Sequence, residues 1–167
     1  MNLVDEALVS LQAYIEIKRL LCRRVCTDAP MLLDVRFTTG TGSLAIVPNV
    51  DAILPVVVAV RKCEDWPAIE YVMLCGDAYN VETDDGLAIY EERGAAERAF
   101  HAQIGDAHEV LSVLAIDAEH HVGWSVRYDY QPGSSLPTFA DIQRDEGTPD
   151  GALVHAMRAA LEGPPWS

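Results

Sequence analysis

Apolar residues recur at three- and four-residue steps through the first part of the chain. This spacing is typical of one face of an α-helix, and no Pro or Gly interrupts it before Pro30. The stripe consists of Leu3, Val4, Ala7, Leu8, Leu11, Tyr14, Ile15, Leu21 and Val25. The pattern predicts a helix over residues 3–25, and its broad apolar face predicts packing across a sheet or against a partner.

Two segments alternate between apolar and polar residues, which is typical of strands with one solvated face. The first segment is 31–47, with a Gly-rich turn at 40–43. The second is 109–130, in which the returning strand, 122–130, alternates strictly. We predict a hairpin at each, and a further strand over 69–75 between them.

Two other segments indicate helices. Over 51–65, the possible cap Asp51 and the early Pro55 favour a helix, whereas the β-branched run at 56–60 favours a strand. We predict a helix, because a clear strand follows directly. Residues 151–162 have the pattern of a closing helix, which ends at a Gly-Pro-Pro sequence.

The remaining segments have weaker patterns. Residues 79–81 and 87–90 are candidates to extend the sheet, residues 94–104 indicate a short helix, and residues 131–150 predict a surface loop rich in Pro, Gly and Ser. Because hairpins dominate, the chain predicts a single α+β domain, 1–167, with a mainly antiparallel sheet. Nucleotide binding of the kind found in parallel α/β sheets is therefore not expected.

The negative charge is concentrated in the second part of the chain. The formal net charge is −14, with a net of +1 over residues 1–62 and −15 over the rest. Such a field repels nucleic acid and anionic membranes and attracts basic partners. Colloidal solubility is the simpler explanation of the charge. The start of the chain is acidic, and no apolar run approaches the ~20 residues that span a bilayer. We therefore expect a soluble, cytoplasmic protein.

The four cysteines are Cys22, Cys26, Cys63 and Cys75. Cys22 and Cys26 have three residues between them but lie in the predicted helix and not in a turn, and eleven residues separate Cys63 from Cys75. A four-Cys zinc site is geometrically possible but weakly indicated. Reduced, mostly buried thiols are the simpler interpretation.

Asp117, Glu119, His120 and His121 form the strongest polar cluster, at the bend of the second hairpin. Carboxylates beside imidazoles can bind a metal or transfer protons near neutral pH. Adjacent strand residues point to opposite faces, however, so we expect the two histidines not to share one ion. A polar turn is the preferred interpretation, unless these residues converge with Asp77 or Asp129 in a sheltered cleft.

The other candidates for chemistry lack a complete motif. The acidic residues Asp77, Glu82, Asp84 and Asp85 do not follow the calcium-loop pattern, and Gly40–Ser43 lacks the Lys and the following helix of a phosphate loop. No Gly-x-Ser-x-Gly elbow is present. The alternating apolar residues of 122–130, with Trp124, Val126 and Tyr128, predict packing against a helix.

The sequence assigns no catalytic residue and predicts no cofactor and no metal. The leading hypothesis is a non-catalytic interaction protein that forms a homo-oligomer or binds a basic protein, because the first helix has more apolar surface than a small domain readily covers. The alternatives are a small hydrolase or metal-dependent enzyme that uses Asp, Glu and His of the C-terminal half, and an acidic nucleic-acid mimic.

Overall fold

One antiparallel sheet runs through the part of the chain that the structure describes. The computed structural model describes residues 2–21, 31–82, 98, 101–103, 106–130, 137–140, 142–145 and 152–162. The strands are β1 (Met31–Phe37), β2 (Gly42–Val47), β3 (Ile69–Glu82), β4 (Asp106–Asp117), β5 (His121–Tyr130), β6 (Pro137–Phe139) and β7 (Gln143–Asp145). Their order is β2-β1-β3-β4-β5-β6, and β7 pairs with another part of β5.

Helices pack on both faces of this sheet. They are α1 (Leu3–Leu21), α2 (Ile53–Cys63), which follows a 3-10 turn over Val50–Ala52, and α3 (Ala152–Glu162). α1 packs on one face against β3, β4 and β5, whereas α2 and α3 pack on the opposite face. Among the described helices, none is both long enough and apolar enough to cross a membrane. The predicted α+β class with a mainly antiparallel sheet is confirmed.

The side chain of Asn2 caps the start of α1. Asn2 Oδ1 accepts a hydrogen bond from the Asp5 N–H at 2.9 Å, which satisfies a donor that the first turn would leave free. The predicted helix over 3–25 is observed through Leu21, and residues 22–30 lie outside the described residues. The stripe that α1 buries against the sheet includes Ala7, Leu11 and Ile15.

α2 resolves the ambiguous segment at 51–65 in favour of a helix. Pro55 lies in its first turn, where a missing N–H costs no hydrogen bond. Before it, Asn49 Oδ1 accepts a hydrogen bond from the Ala52 N–H at 3.1 Å. The β-branched run is helical because the three-to-four-residue spacing of Ile53 and Val57 buries both against the sheet.

Two predictions need correction at the ends of the sheet. β3 runs through Glu82, so the predicted strand over 69–75 is longer and includes 79–81. The surface loop predicted over 131–150 is wrong in part, because β6 and β7 lie within it and pair with β5. Three-residue strands are too short to show a period-two pattern, so their pairing is visible only in the fold.

Two further predictions lie largely or wholly outside the described residues. The segment 87–90 is not described at all. Of the predicted helix over 94–104, the structure describes 98 and 101–103, of which 98 and 101 are helical.

Candidate functional site

α1 covers only part of its sheet face. β3, β4 and β5 lie beneath it, and we call them the covered half of this face. β1 and β2 lie beside it, and we call them the open half. In the open half, Leu44 pairs across the strands with Asp34, and Ile46 pairs with Leu32. Directly opposed residues share a face, so Leu44 and Ile46 lie on the α1 side, where they are 69% and 68% exposed.

A buried ion pair ties α1 to the covered half. Lys18 Nζ lies 2.5 Å from Asp77 Oδ2, and the two side chains are 9% and 2% exposed. The Tyr128 hydroxyl donates to Asp77 Oδ1 at 2.7 Å. Burial raises the pKa of the nearby Tyr14, and the negative charge of Asp77 raises it further. These contacts satisfy Asp77 within the protein and hold α1 against β3 and β5.

The row of aromatic and aliphatic residues on β5 lies under α1, as predicted. Val126 and Tyr128 are buried there, and Trp124 packs against the same cluster. The Trp124 indole Nε1–H also donates to the main-chain oxygen of Val4 at 3.1 Å. This face of β5 is therefore filled by α1.

The free edge of β2 belongs to the open half. Among the described strands, β2 pairs only with β1. Phe37 N–H donates to Thr41 O at 2.9 Å, and antiparallel hydrogen bonding alternates along the strand from that point. The main-chain groups of Ser43 and Ala45 therefore face β1, and those of Leu44 and Ile46 face outward. Leu44 and Ile46 thus present both their apolar side chains and their main-chain groups to solvent.

A polar cleft of about 510 Å³ opens where the start of α1 meets the ends of β3 and β4. Residues from α1, β1, β3, β4, β5 and β7 line it, so the assembled sheet is needed to form it. The charged side chains of its lining are Glu6, Arg36, Glu70, Asp117 and Arg144. The lining is completed by Tyr71, His120, His121, Val122, and the first turn of α1 with its cap Asn2.

Arg36 is the most enclosed cation of this cleft. Its guanidinium carbon lies 5.8 Å from the centroid of the Tyr71 ring. Its Nε is buried, and among the described residues no group accepts a hydrogen bond from that atom. A Cβ on Gly42 would lie 3.1 Å from Arg36 Nε, so the absence of a side chain at Gly42 leaves room for the guanidinium.

Three of the four polar residues predicted at the second hairpin's bend line this cleft. Asp117 Oδ1 accepts hydrogen bonds from the N–H groups of Glu119 and His120, at 2.9 and 2.6 Å, so Asp117 shapes the turn. The same oxygen lies 3.4 Å from His120 Nδ1. His121 Nδ1 instead lies 3.4 Å from Arg158 Nη2 on α3. Glu119 is not part of the lining.

The convergence considered for Asp77 and Asp129 does not occur. Asp77 is bound to Lys18 and Tyr128 under α1, and Asp129 is exposed on β5. Neither lines the cleft. In the described part of the chain, no group of three or more His, Cys, Asp or Glu residues is arranged to hold a metal.

The cysteines differ in exposure. Cys75 is buried in the covered half, and burial raises the pKa of its thiol to about 12, which makes it unreactive near neutral pH. Cys63 is an exposed free thiol. Cys22 and Cys26 lie outside the described residues, as do Asp84 and Asp85 of the acidic segment.

The cleft contains residues that the sequence did not single out. Arg36 and Tyr71 occupy polar and apolar positions of ordinary strands, and Arg144 lies in a segment predicted to be a loop. The alternation of apolar and polar residues in β1 predicts the sheet face on which Arg36 lies. No local pattern brings it together with Glu6 and Arg144, because three elements distant in sequence meet there.

No protein-family model, curated protein or solved structure matches the chain.

Proposed function

We propose that this protein is a non-catalytic interaction protein that self-associates through the edge of β2. The observation that carries the proposal is the exposure of Leu44 and Ile46 on a strand whose outward main-chain groups lack a partner among the described residues. Natural sheet edges are usually blunted by charge, Pro, bulges or short length. β2 has six residues, Gly-Ser-Leu-Ala-Ile-Val, with neither a charge nor a Pro.

The occupant we propose for this edge is a second copy of the chain. With a net charge of −14, two copies repel each other over most of their surfaces. β2 carries no charged side chain. Electrostatic repulsion between two copies is therefore smallest when they approach each other through β2. Antiparallel pairing of β2 with its symmetry mate joins two sheets and brings apolar side chains together across a two-fold axis. A basic protein is less well matched, because β2 offers no carboxylate to basic side chains.

The opposite edge of the sheet supports this choice. β6 and β7 are three residues long each and lie along different parts of β5. Short edge strands offer little main chain to an incoming strand. Self-association through β2 alone closes as a dimer, whereas two competent edges would allow open-ended assembly.

The experiment measures molar mass by light scattering after size-exclusion chromatography, across micromolar concentrations. We expect the wild-type chain to be a dimer and Ile46→Lys to be a monomer, because the substitution brings charges into an apolar contact that the symmetry repeats. Val9→Lys is the matched control, since Val9 is also an exposed aliphatic residue (50%) but lies on α1. A strictly monomeric wild type, or a dimer that survives Ile46→Lys, would contradict the proposal.

Leu44→Pro tests the main-chain part of the contact separately. The Leu44 N–H faces outward, so Pro removes an edge donor without removing a bond to β1. We expect loss of the dimer with a retained circular dichroism spectrum. If Leu44→Pro still dimerises, the β2 edge is not the contact. A pull-down that recovers a basic protein while the chain stays monomeric would favour the basic partner.

A second candidate function is hydrolysis in the cleft, favoured by the Asp117–His120 pair. A carboxylate 3.4 Å from Nδ1 can orient an imidazole whose other nitrogen acts as a general base toward water. The test is a panel of chromogenic ester, amide and phosphate substrates. His155→Gln is the control, because His155 is an exposed histidine of α3. An enzyme would be supported by turnover that His120→Gln loses and His155→Gln retains. A cytoplasmic location stays a prediction, which cell fractionation can test.

A further inference from the structure

The cleft at the start of α1 has the size and the lining of a small-molecule site. Its volume of about 510 Å³ falls within the range of ~300–1,000 Å³ that is usual for ligand pockets. It contains none of the exposed apolar residues of β2. Its function can therefore be tested independently of self-association.

Charges of both signs line this cleft. Arg36 and Arg144 supply the positive charges. Glu6, Glu70 and Asp117 supply the negative charges. Among the described residues, no ion pair joins either arginine to any of these three carboxylates. The buried Nε of Arg36, which also has no acceptor there, adds to the unused hydrogen-bonding capacity.

This arrangement discriminates against ligands with a single sign of charge. A simple anion attracted by Arg36 and Arg144 also meets three carboxylates, and a simple cation attracted by the carboxylates also meets two guanidinium groups. A small zwitterion offers each sign its complement. Guanidinium groups bind carboxylates through paired N–H donors, and carboxylates accept hydrogen bonds from ammonium groups.

Carboxylates other than Asp117 are better placed to accept from the ammonium group. Asp117 Oδ1 already accepts from two main-chain N–H groups of its own turn. The side-chain carboxylates of Glu6 and Glu70 form no hydrogen bond or ion pair among the described residues. They are therefore the available acceptors of the lining.

We propose that the cleft binds a small zwitterion of the α-amino acid or dipeptide class, with its ammonium group toward Glu6 and Glu70 and its carboxylate toward Arg144, which lies across β4 and β5 from Glu70. The Arg36 guanidinium carbon lies 5.8 Å from the centroid of the Tyr71 ring, at the end of the cleft that Glu70 also lines. Glu6 is the charged residue that α1 contributes to the lining. A ligand that binds Glu6 therefore contacts the first helix directly.

The experiment titrates the full chain with free α-amino acids and dipeptides, followed by the NMR signals of the imidazole protons of His120 and His121. The best ligand is then compared with its des-amino acid and its decarboxylated amine. We expect both truncated compounds to bind at least about tenfold more weakly, because each lacks one charge-assisted set of hydrogen bonds. If neither class shifts the imidazole signals at millimolar concentration, or if a truncated compound binds as well as the parent, the proposal is wrong.

Arg144→Gln tests the carboxylate contact in a variant that we expect to fold, because Arg144 is exposed. We expect about tenfold weaker binding. Lys62→Gln, which removes one positive charge from the exposed side of α2, should leave binding unchanged. Equal weakening by both variants would indicate a general charge effect and would refute the specific contact. Ile46→Lys should bind the zwitterion normally, so failure of self-association and failure of the zwitterion site remain distinguishable.

Discussion

Beneath α1, the residues of β3, β4 and β5 that face the helix are almost fully enclosed; beside α1, β2 presents Leu44 and Ile46 at 69% and 68% exposure. Both halves belong to one sheet face, and β2 in the open half, like the strands of the covered half, has apolar residues at alternate positions. The covered half places an ion pair in its interior, Lys18 with Asp77. The open half places apolar side chains at its edge. Each half thus departs from the usual distribution of polar and apolar groups, in opposite directions.

These departures have different physical consequences. Charged groups are costly to desolvate. Removing one partner of a buried ion pair therefore leaves the other as an uncompensated charge within the protein. An exposed aliphatic side chain contributes little to the free energy of folding. It contributes a favourable free energy of burial only when another surface covers it. Mutations in the covered half should therefore change the stability of the monomer. Mutations in the open half should change association.

The largest effect is expected from Asp77→Ala. This variant leaves Lys18 buried without its partner and removes the acceptor of the Tyr128 hydroxyl. We expect the free energy of unfolding to fall by about 3–5 kcal/mol, measured by urea denaturation. Glu16→Ala is the control, because Glu16 forms an exposed ion pair with Arg19 on the same helix and its loss should cost less than about 1 kcal/mol. Similar losses in both variants would mean that the Lys18–Asp77 pair is not specially stabilising.

Leu11→Ala and Ile46→Ala compare apolar residues of the two halves. Leu11 is fully buried under α1, so truncation should lower the free energy of unfolding by about 2–5 kcal/mol. Ile46 is exposed, so truncation should change the unfolding of the monomer by less than about 0.5 kcal/mol. Denaturation at low protein concentration, where association is weakest, measures both. A large loss in monomeric Ile46→Ala would show that the open half is covered within one chain.

The smallest effect concerns Asp34, which shares the open half with Leu44. Burial raises the pKa of Asp34 above its ordinary value of 3.8; Arg36 opposes this shift and Glu6 adds to it. A raised pKa in the folded state means that folding favours the protonated carboxyl. Its contribution to stability is therefore greatest below the unfolded pKa and is lost as the pH rises through the folded pKa.

Asp34→Asn should consequently make the protein slightly more stable than wild type at about pH 7, and this advantage should shrink as the pH falls toward the pKa of the carboxyl. Thermal unfolding over a series of buffers from neutral to acidic pH measures the difference. An advantage that is constant with pH would assign the effect to something other than the ionisation of Asp34. Asp51→Asn serves as the control, because Asp51 is exposed.

Much of the fold could be predicted from local patterns. The spacing of Ala7, Leu11 and Ile15 predicts α1, and the alternation in 31–47 and 122–130 predicts the strands that are observed. These predictions succeed because a helix or a strand with one buried face must repeat its apolar residues at its own period. β6 and β7 could not be predicted in this way, since three residues do not establish a period.

The candidate sites could be predicted only in part. Asp117, His120 and His121 are recognisable as a polar cluster, and the structure places them at one cleft. Their neighbours there, Arg36 and Arg144, come from strands far apart in the sequence. The buried partner of Asp77 is likewise a lysine on a helix predicted simply from its apolar stripe. Pairings of this kind depend on which elements become neighbours, and periodicity carries no such information.

By itself, the sequence determined the α+β class, the principal helices and hairpins, and the concentration of negative charge after residue 62, because periodicity and charge are properties of local segments. The tertiary structure decided how far α1 extends across the sheet. A single helix is too narrow to cover all the strands of its face, so β3, β4 and β5 lie beneath it and β2 is left open. That placement separates an interior ion pair from an apolar edge and brings charges of both signs together at the start of α1.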